Sequence, residues 1–162
     1  MKSEASRRAI LRGLVAGTLA FLAWPRRSDA TDYAGPEQVL DTVDRLEAGV
    51  GARLRAIAAR LVSARPFVSS LLADHERHRA VRARLRRRLR LPASAPAREA
   101  SGADAALDGL RASQEALVYA HAEGLPALGD ASAVAAMARN MVDLSRHLTV
   151  IDLWIEGEAS RG

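Results

Sequence analysis

Residues 67–91, FVSSLLADHERHRAVRARLRRRLRL, have the spacing of an amphipathic helix. Alternating steps of four and three residues place one set of side chains on a single stripe, formed by Phe67, Leu71, Asp74, His78, Val81 and Leu85. The stripe is apolar except at its centre, where an acid and an imidazole occupy positions that a buried face usually fills with leucine. The segment therefore predicts a core helix with a polar middle.

Three further segments have the same spacing and predict an all-α protein. Their stripes are Leu40, Val43, Glu47, Val50, Leu54, Ile57 and Leu61; Leu107, Leu110, Gln114, Leu117 and His121; and Met137, Met141, Leu144, Leu148, Ile151 and Ile155. The composition agrees, because 49% of the residues are apolar and only 4% are aromatic. We expect one helical domain over residues 31–162.

Proline, glycine and capping residues mark the ends of the predicted helices. The first helix should occupy residues 37–63 and the third residues 103–123, while Asp130 or Ser132 should cap the fourth. Residues 92–103 form the longest connection and are expected to cross the bundle. Two short connections around a longer one predict a four-helix bundle.

The first 30 residues have the features of a cleavable export signal. A basic segment precedes an apolar run between Gly13 and Trp24, and the run is shorter than the ~20 residues that span a bilayer. Cleavage is expected after Ala30. Within the basic segment, SRRAILR with Arg7 and Arg8 resembles the twin-arginine translocation motif of bacterial exported proteins. The resemblance implies recognition by that export machinery and a periplasmic or otherwise extracytoplasmic mature protein, with an uncleaved membrane anchor as the alternative.

Charge and composition exclude several classes of function. The first 30 residues contain six of the 24 basic and two of the 19 acidic residues, which leaves 18 basic and 17 acidic residues in the remainder. This balance gives no support for nucleic-acid binding. The absence of cysteine excludes disulfides, thiolate metal ligands and thiol redox chemistry. Motifs such as G-x-S-x-G and H-E-x-x-H are absent as well.

Polar residues interrupt the apolar stripes at similar predicted heights. Glu47, His78 and Gln114 lie within about one turn of one another on three helices, and Asn140 and Asp143 reach the same level on the fourth. Imidazole and carboxylate groups are suitable ligands for divalent transition metals. A buried polar layer can also fix helix register without binding anything.

The layer resembles the metal centre of the ferritin-like family, in which two helices each supply Glu and two supply Glu-x-x-His around two iron or manganese ions. The letters D-x-x-R-H occur at 74–78 and again at 143–147, on the second helix of each predicted hairpin. The resemblance implies ferritin-like up-down topology. The six-ligand set is incomplete, because the third helix presents Gln114 to the core. The candidate metal ligands that it implies are Glu47, Asp74, His78, Asp143 and His147.

The sequence leaves three functions open. It favours an exported bundle with a structural or binding role, without a required cofactor, over an enzyme. The alternative is a di-iron or di-manganese protein, and a homo-oligomer is compatible with either. A third function is binding of an anionic surface through residues 82–90, although acids of the third and fourth helices are expected to pair with these arginines. His75 and His121 are expected to be half-buried and outside any site.

Overall fold

A computed structural model describes residues 32–94 and 106–160, except for the side chains of residues 158 and 159. The predicted signal, including Arg7, Arg8 and Ala30, lies outside these residues. Within the described ranges the chain is all-helical and contains no strand. The helices are α1 (Pro36–Arg60), α2 (Arg65–Arg88), α3 (Leu107–Gly124) and α4 (Ala131–Ala159).

The predicted stops and caps explain most helix boundaries. Proline occupies the first turn of both α1 and α2, where no backbone donor is lost. Asp130 caps α4, because its Oδ1 accepts a hydrogen bond from the backbone N–H of Ala133 at 2.8 Å. Gly129, just before this cap, has φ of 66°, a left-handed conformation that favours glycine.

The four helices form a bundle in which each helix runs antiparallel to both of its neighbours. α1 packs on α2 and α3, and α4 packs on the same two helices. The end of α3 at Gly124 lies against Val39 near the start of α1. Phe67 near the start of α2 contacts Trp154 near the end of α4, with ring centroids 5.1 Å apart. α2 therefore ends and α3 begins at opposite ends of the bundle. The connection that the sequence predicts to cross the bundle lies mostly outside the described residues.

The apolar stripes of α1, α3 and α4 are buried much as predicted. Leu40, Val50, Leu117 and Leu144, for example, are fully buried. The prediction that α1 continues to Ser63 is wrong, because the helix ends at Arg60 and Leu61 is 40% exposed. No helix of the described ranges has an apolar run long enough to span a membrane.

The buried face of α2 differs from the predicted stripe. Phe67 and Val81 are only partly buried, whereas Val68 and Arg82 are buried. Leu71, His78 and Leu85 are buried as predicted, so the face is turned by only about half a residue, roughly 50° on a helix. The physical reason is electrostatic, since Arg82 is drawn inward by carboxylates of α1. This rotation determines which histidines enter the core.

Candidate metal site

α1 and α2 bring one carboxylate and two imidazoles together in the core. Glu47 Oε1 lies 2.9 Å from His75 Nδ1 and 3.6 Å from His78 Nδ1. All three residues are buried, and one donor atom from each lies within 4.8 Å of the other two. His75 and His78 are three residues apart on α2, which places both rings on the face that α1 covers.

A third imidazole joins this group from α4. The ring centroid of His147 lies 5.4 Å from that of His75 and 6.1 Å from that of His78. Asp74 of α2 holds this ring, with Oδ2 2.9 Å from His147 Nε2. Asp143 of α4 lies on the other side of the group, with Oδ2 3.6 Å from His78 Nε2. We call Glu47, His75, His78 and His147 the histidine cluster.

Each histidine of the cluster has one buried ring nitrogen without a hydrogen-bond partner. His75 Nδ1 and His147 Nε2 contact carboxylates at 2.9 Å, whereas both nitrogens of His78 lie 3.6 Å from one. The unpartnered nitrogens are His75 Nε2, His78 Nδ1 and His147 Nδ1, and all three are buried. A neutral imidazole has one N–H donor and one lone pair. Carboxylates that bind the far nitrogen are typical of histidines that bind a metal, because they fix the ring and its tautomer.

Arg82 of α2 forms a buried ion pair with Glu47 of the cluster. This side chain is 1% exposed, donates from Nε to Asp44 at 2.6 Å and pairs through Nη2 with Glu47. Burial alone would raise the pKa of Glu47, but contacts with His75, His78 and Arg82 outweigh it and hold that pKa well below its ordinary value. Glu47 is therefore a carboxylate at any physiological pH.

His147 and Asp74 have opposing influences on each other. Burial lowers the pKa of His147, and the neighbouring carboxylate of Asp74 partly offsets this effect. Burial of Asp74 raises its pKa, but the bond to His147 and the charges around it give a net lowering. His147 is thus biased toward the neutral form that binds metals, and Asp74 toward the charged form that orients it.

The polar residues that α3 brings to the core are Gln114 and His121. Gln114 donates from Nε2 to the backbone oxygen of Leu144 at 3.0 Å. Glu115, the nearest acid in sequence, pairs with Arg111 at 3.2 Å. Burial lowers the pKa of His121 to about 4, and its Nδ1 lies 2.9 Å from the backbone oxygen of Leu117. α3 thus supplies amide and imidazole groups but no carboxylate to the core.

The structure brings the sequence-predicted residues close to one another. Glu47 and His78 form part of the three-residue donor group, and His147 lies beside it. Asp74 and Asp143 contact the outer nitrogens of the imidazoles. Asn140, also predicted in the layer, is buried with its Nδ2 unpartnered.

Two expectations about burial and pairing are wrong. His75 and His121, expected to be half-buried, are 6% and 0% exposed, and His75 belongs to the cluster. Arg82 and Arg86 pair with acids of α1, whereas acids of the third and fourth helices are expected from the sequence. Arg88 does pair as expected, with Asp130 at the start of α4 at 3.4 Å. The sequence contains a signal for the pairing of Arg82 and Arg86. Asp41, Asp44 and Glu47 recur every three residues and form an acidic stripe on α1.

The comparisons with known proteins identify no relatives. No protein family, curated protein or solved structure matches the chain.

Proposed function

We propose that this protein is an exported helical bundle that binds one divalent transition metal ion at Glu47, His75 and His78, with His147 as a further ligand. The observation that carries the proposal is the contact of Glu47 Oε1 with two imidazole nitrogens, at 2.9 and 3.6 Å. Two donors that each bind an ion at about 2.1 Å at tetrahedral or octahedral angles lie roughly 3.0–3.4 Å apart. The two distances lie just below and just above this range, so shifts of a few tenths of an ångström would allow shared coordination.

The unpartnered nitrogens favour metal binding over a layer that only fixes register. A layer selected for structure alone would satisfy its polar groups, because each buried unpaired donor or acceptor costs about 1–3 kcal/mol. The three histidines of the cluster each leave one ring nitrogen unpartnered. A metal ion would use the lone pairs of His78 Nδ1 and His147 Nδ1 directly, and it would take the place of the hydrogen between His75 Nδ1 and Glu47.

The donor set narrows the choice of metal. Two imidazoles and one carboxylate form the ligand set of both zinc enzymes and non-haem iron(II) proteins. We favour one ion rather than two, because α3 provides no free carboxylate: Glu115 pairs with Arg111, and Gln114 is an amide. The di-iron or di-manganese alternative requires carboxylates from more helices than this core provides.

A structural role is the second candidate, and one observation favours it. Glu47 already pairs with His75 through one carboxylate oxygen and with Arg82 through the other. A complete ion pair of this kind can specify the register between α1 and α2 without a ligand. In that case the histidines are packing partners of Glu47.

The finer topology and the cellular location are also part of the proposal. Ferritin-like topology is supported by the antiparallel neighbours and by the opposite ends at which α2 stops and α3 starts. Export through the twin-arginine route to the periplasm is supported by Arg7, Arg8 and the apolar run before Ala30. We include no nucleic-acid partner, because the charge of residues 31–162 is nearly balanced.

Metal titration tests the proposal directly. The purified protein is stripped with EDTA, desalted, and titrated with Zn²⁺, with anaerobic Fe²⁺ and with Mg²⁺. We expect one tight equivalent of Zn²⁺ or Fe²⁺ and weak Mg²⁺ binding, because nitrogen ligands disfavour Mg²⁺. His78→Leu should abolish this equivalent, while His121→Leu, a change at a buried histidine outside the donor group, should retain it.

The same variants decide between the two roles. If no ion binds and His78→Leu is as stable as the unmodified protein or more stable, the cluster is a register layer and the metal proposal is wrong. If binding survives His78→Leu but is lost in His121→Leu, the ligands are misassigned. Circular dichroism of each variant confirms that the helices are retained.

A further inference from the structure

A cleft of about 700 Å³ opens between α1 and α2 beside the histidine cluster. Its walls include Arg82 and Arg86 at the base and Arg55, Arg79 and Arg87 among the outer residues. Five arginines face three carboxylates in this lining. The cleft has the volume of a small-molecule site and an excess of positive charge.

The two buried arginines keep unused hydrogen-bond donors. Arg82 and Arg86 are 1% and 4% exposed, and Arg82 Nη1 and Arg86 Nε have no partner. Their carboxylate partners Asp41, Asp44 and Glu47 all belong to α1. Arg86 Nη1 also donates to the backbone oxygen of Pro92 at 3.2 Å, which fixes the orientation of the guanidinium group.

A guanidinium held in this way is suited to oxyanions. The group is planar, always charged, and presents donors in a fork that matches carboxylate and phosphate oxygens. Burial strengthens such contacts, because the local dielectric constant is lower than that of water. Exposed Arg79 and Arg87 at the rim would attract an anion toward the base.

We propose that this cleft binds a small molecule bearing a carboxylate or phosphate group, with Arg82 and Arg86 as its anchoring residues. The inference rests on the arginines of the cleft and does not depend on the metal. Glu47 and His75 also line the cleft, so a bound anion would lie beside the candidate metal ligands.

Calorimetric titration of the EDTA-treated protein tests the proposal with inorganic phosphate and with succinate as probes, at 0.15 M NaCl. We expect saturable binding of at least one probe with one site per chain, and the stronger probe identifies the class of anion. Arg86→Gln should weaken binding about tenfold, as expected for loss of a charged hydrogen bond. Arg84→Gln, a matched change at an exposed residue of α2 outside the cleft, should leave it unchanged.

A rim variant covers the case in which Arg86→Gln fails to fold. Arg79→Gln combined with Arg87→Gln removes two exposed charges and should weaken binding severalfold while the helices are retained. Absence of saturable binding of both probes overturns the proposal. Equal weakening by Arg84→Gln also overturns it, because it would indicate a diffuse surface effect. Metal binding can succeed or fail independently, since this titration contains no metal.

Discussion

Asp74 of α2 contacts His147 of α4 at 2.9 Å, between two neighbouring helices of the bundle. The equivalent residues of the repeated motif, with the acid now on α4 and the histidine on α2, also approach each other. Asp143 of α4 lies 3.6 Å from His78 of α2. The repeated D-x-x-R-H letters at 74–78 and 143–147 thus correspond to a reciprocal pair of acid–imidazole contacts. Asp74 is within hydrogen-bond distance of the ring on the other helix, whereas Asp143 only approaches its ring.

Removal of one of these acids should weaken metal binding without loss of the fold. Asp74→Asn keeps the shape of the side chain but removes the charge that orients His147. Carboxylates in this position typically contribute 10–100-fold to metal affinity, so we expect at least a tenfold rise in the dissociation constant for Zn²⁺. In the unmodified protein Asp74 raises the pKa of His147, so this pKa should fall further in Asp74→Asn. Metal titration and a proton NMR pH titration measure the two effects.

Asp152→Asn provides the matched control for this prediction. Asp152 accepts a hydrogen bond from Arg111 at 2.8 Å on the α3–α4 surface and has no contact with the cluster. Its replacement should leave metal affinity unchanged. Equal metal affinity of Asp74→Asn and the unmodified protein would show that Asp74 does not orient a ligand.

The helices were predictable from sequence because their spacing, stops and caps agree with one another. Asp130 at the start of α4 and the stripe of α3 are examples in which local chemistry alone determines the element. The candidate site was only partly predictable. Glu47 and His78 interrupt apolar stripes and are visible for that reason.

His75 and Arg82 were missed because their burial depends on a neighbouring helix. Periodicity alone favours Val81 over Arg82 as a core residue, since an isolated arginine is rarely buried. Only the acids of α1 make burial of Arg82 favourable, and the resulting rotation brings His75 inward. Such pairing between helices is a tertiary effect, and the spacing within α2 contains no information about it.

Stability should fall as the pH is lowered from about 6.5 to 4, and His121 is a main cause. Burial, together with the nearby charge of Arg82, lowers the pKa of His121 from 6.5 to about 4, while Glu47 opposes the shift and His78 adds to it. The unfolded chain therefore binds more protons than the folded chain in this range. The contribution of His121 to the free energy of unfolding is about 3 kcal/mol. It is fully present above pH 6.5 and is lost as the pH falls to 4.

Urea denaturation at pH 7.5 and pH 5 measures this dependence. His121→Gln should reduce the loss of stability between the two values but not abolish it, because the pKa of buried His147 is lowered as well. Glu47 acts in a separate window, since its lowered pKa makes its contribution disappear only below about pH 4.5. An unchanged difference between pH 7.5 and pH 5 in His121→Gln would contradict the prediction.

Gly124→Ala should destabilise the bundle at the contact between α3 and α1. An added Cβ would lie 2.5 Å from Val39 Cγ1, so Val39 or a helix has to shift. Overpacking of this kind typically costs 1–3 kcal/mol. Gly49→Ala is the matched control, because nothing lies within 4 Å of its added Cβ and alanine favours a helix by roughly 0.8–1 kcal/mol. In thermal denaturation the melting temperature should therefore fall in Gly124→Ala and rise in Gly49→Ala. Stabilisation by Gly124→Ala would contradict the predicted clash.

The ion pair of Arg82 and Glu47 should show strong coupling in a double-mutant cycle. Arg82→Leu alone leaves the Glu47 carboxylate buried with one partner fewer, which typically costs 3–5 kcal/mol. Glu47→Leu combined with Arg82→Leu should recover much of this loss, because neither buried charge then remains unpaired.

Arg111 and Asp152 form the control cycle, since both are about 40% exposed and such surface pairs contribute about 0–1 kcal/mol. Urea denaturation of the four proteins in each cycle gives the coupling energies. A coupling for Arg82 and Glu47 as small as that of the surface pair would mean that water already solvates the buried charges. In that case Arg82 would not determine the rotation of α2 that brings His75 beside Glu47.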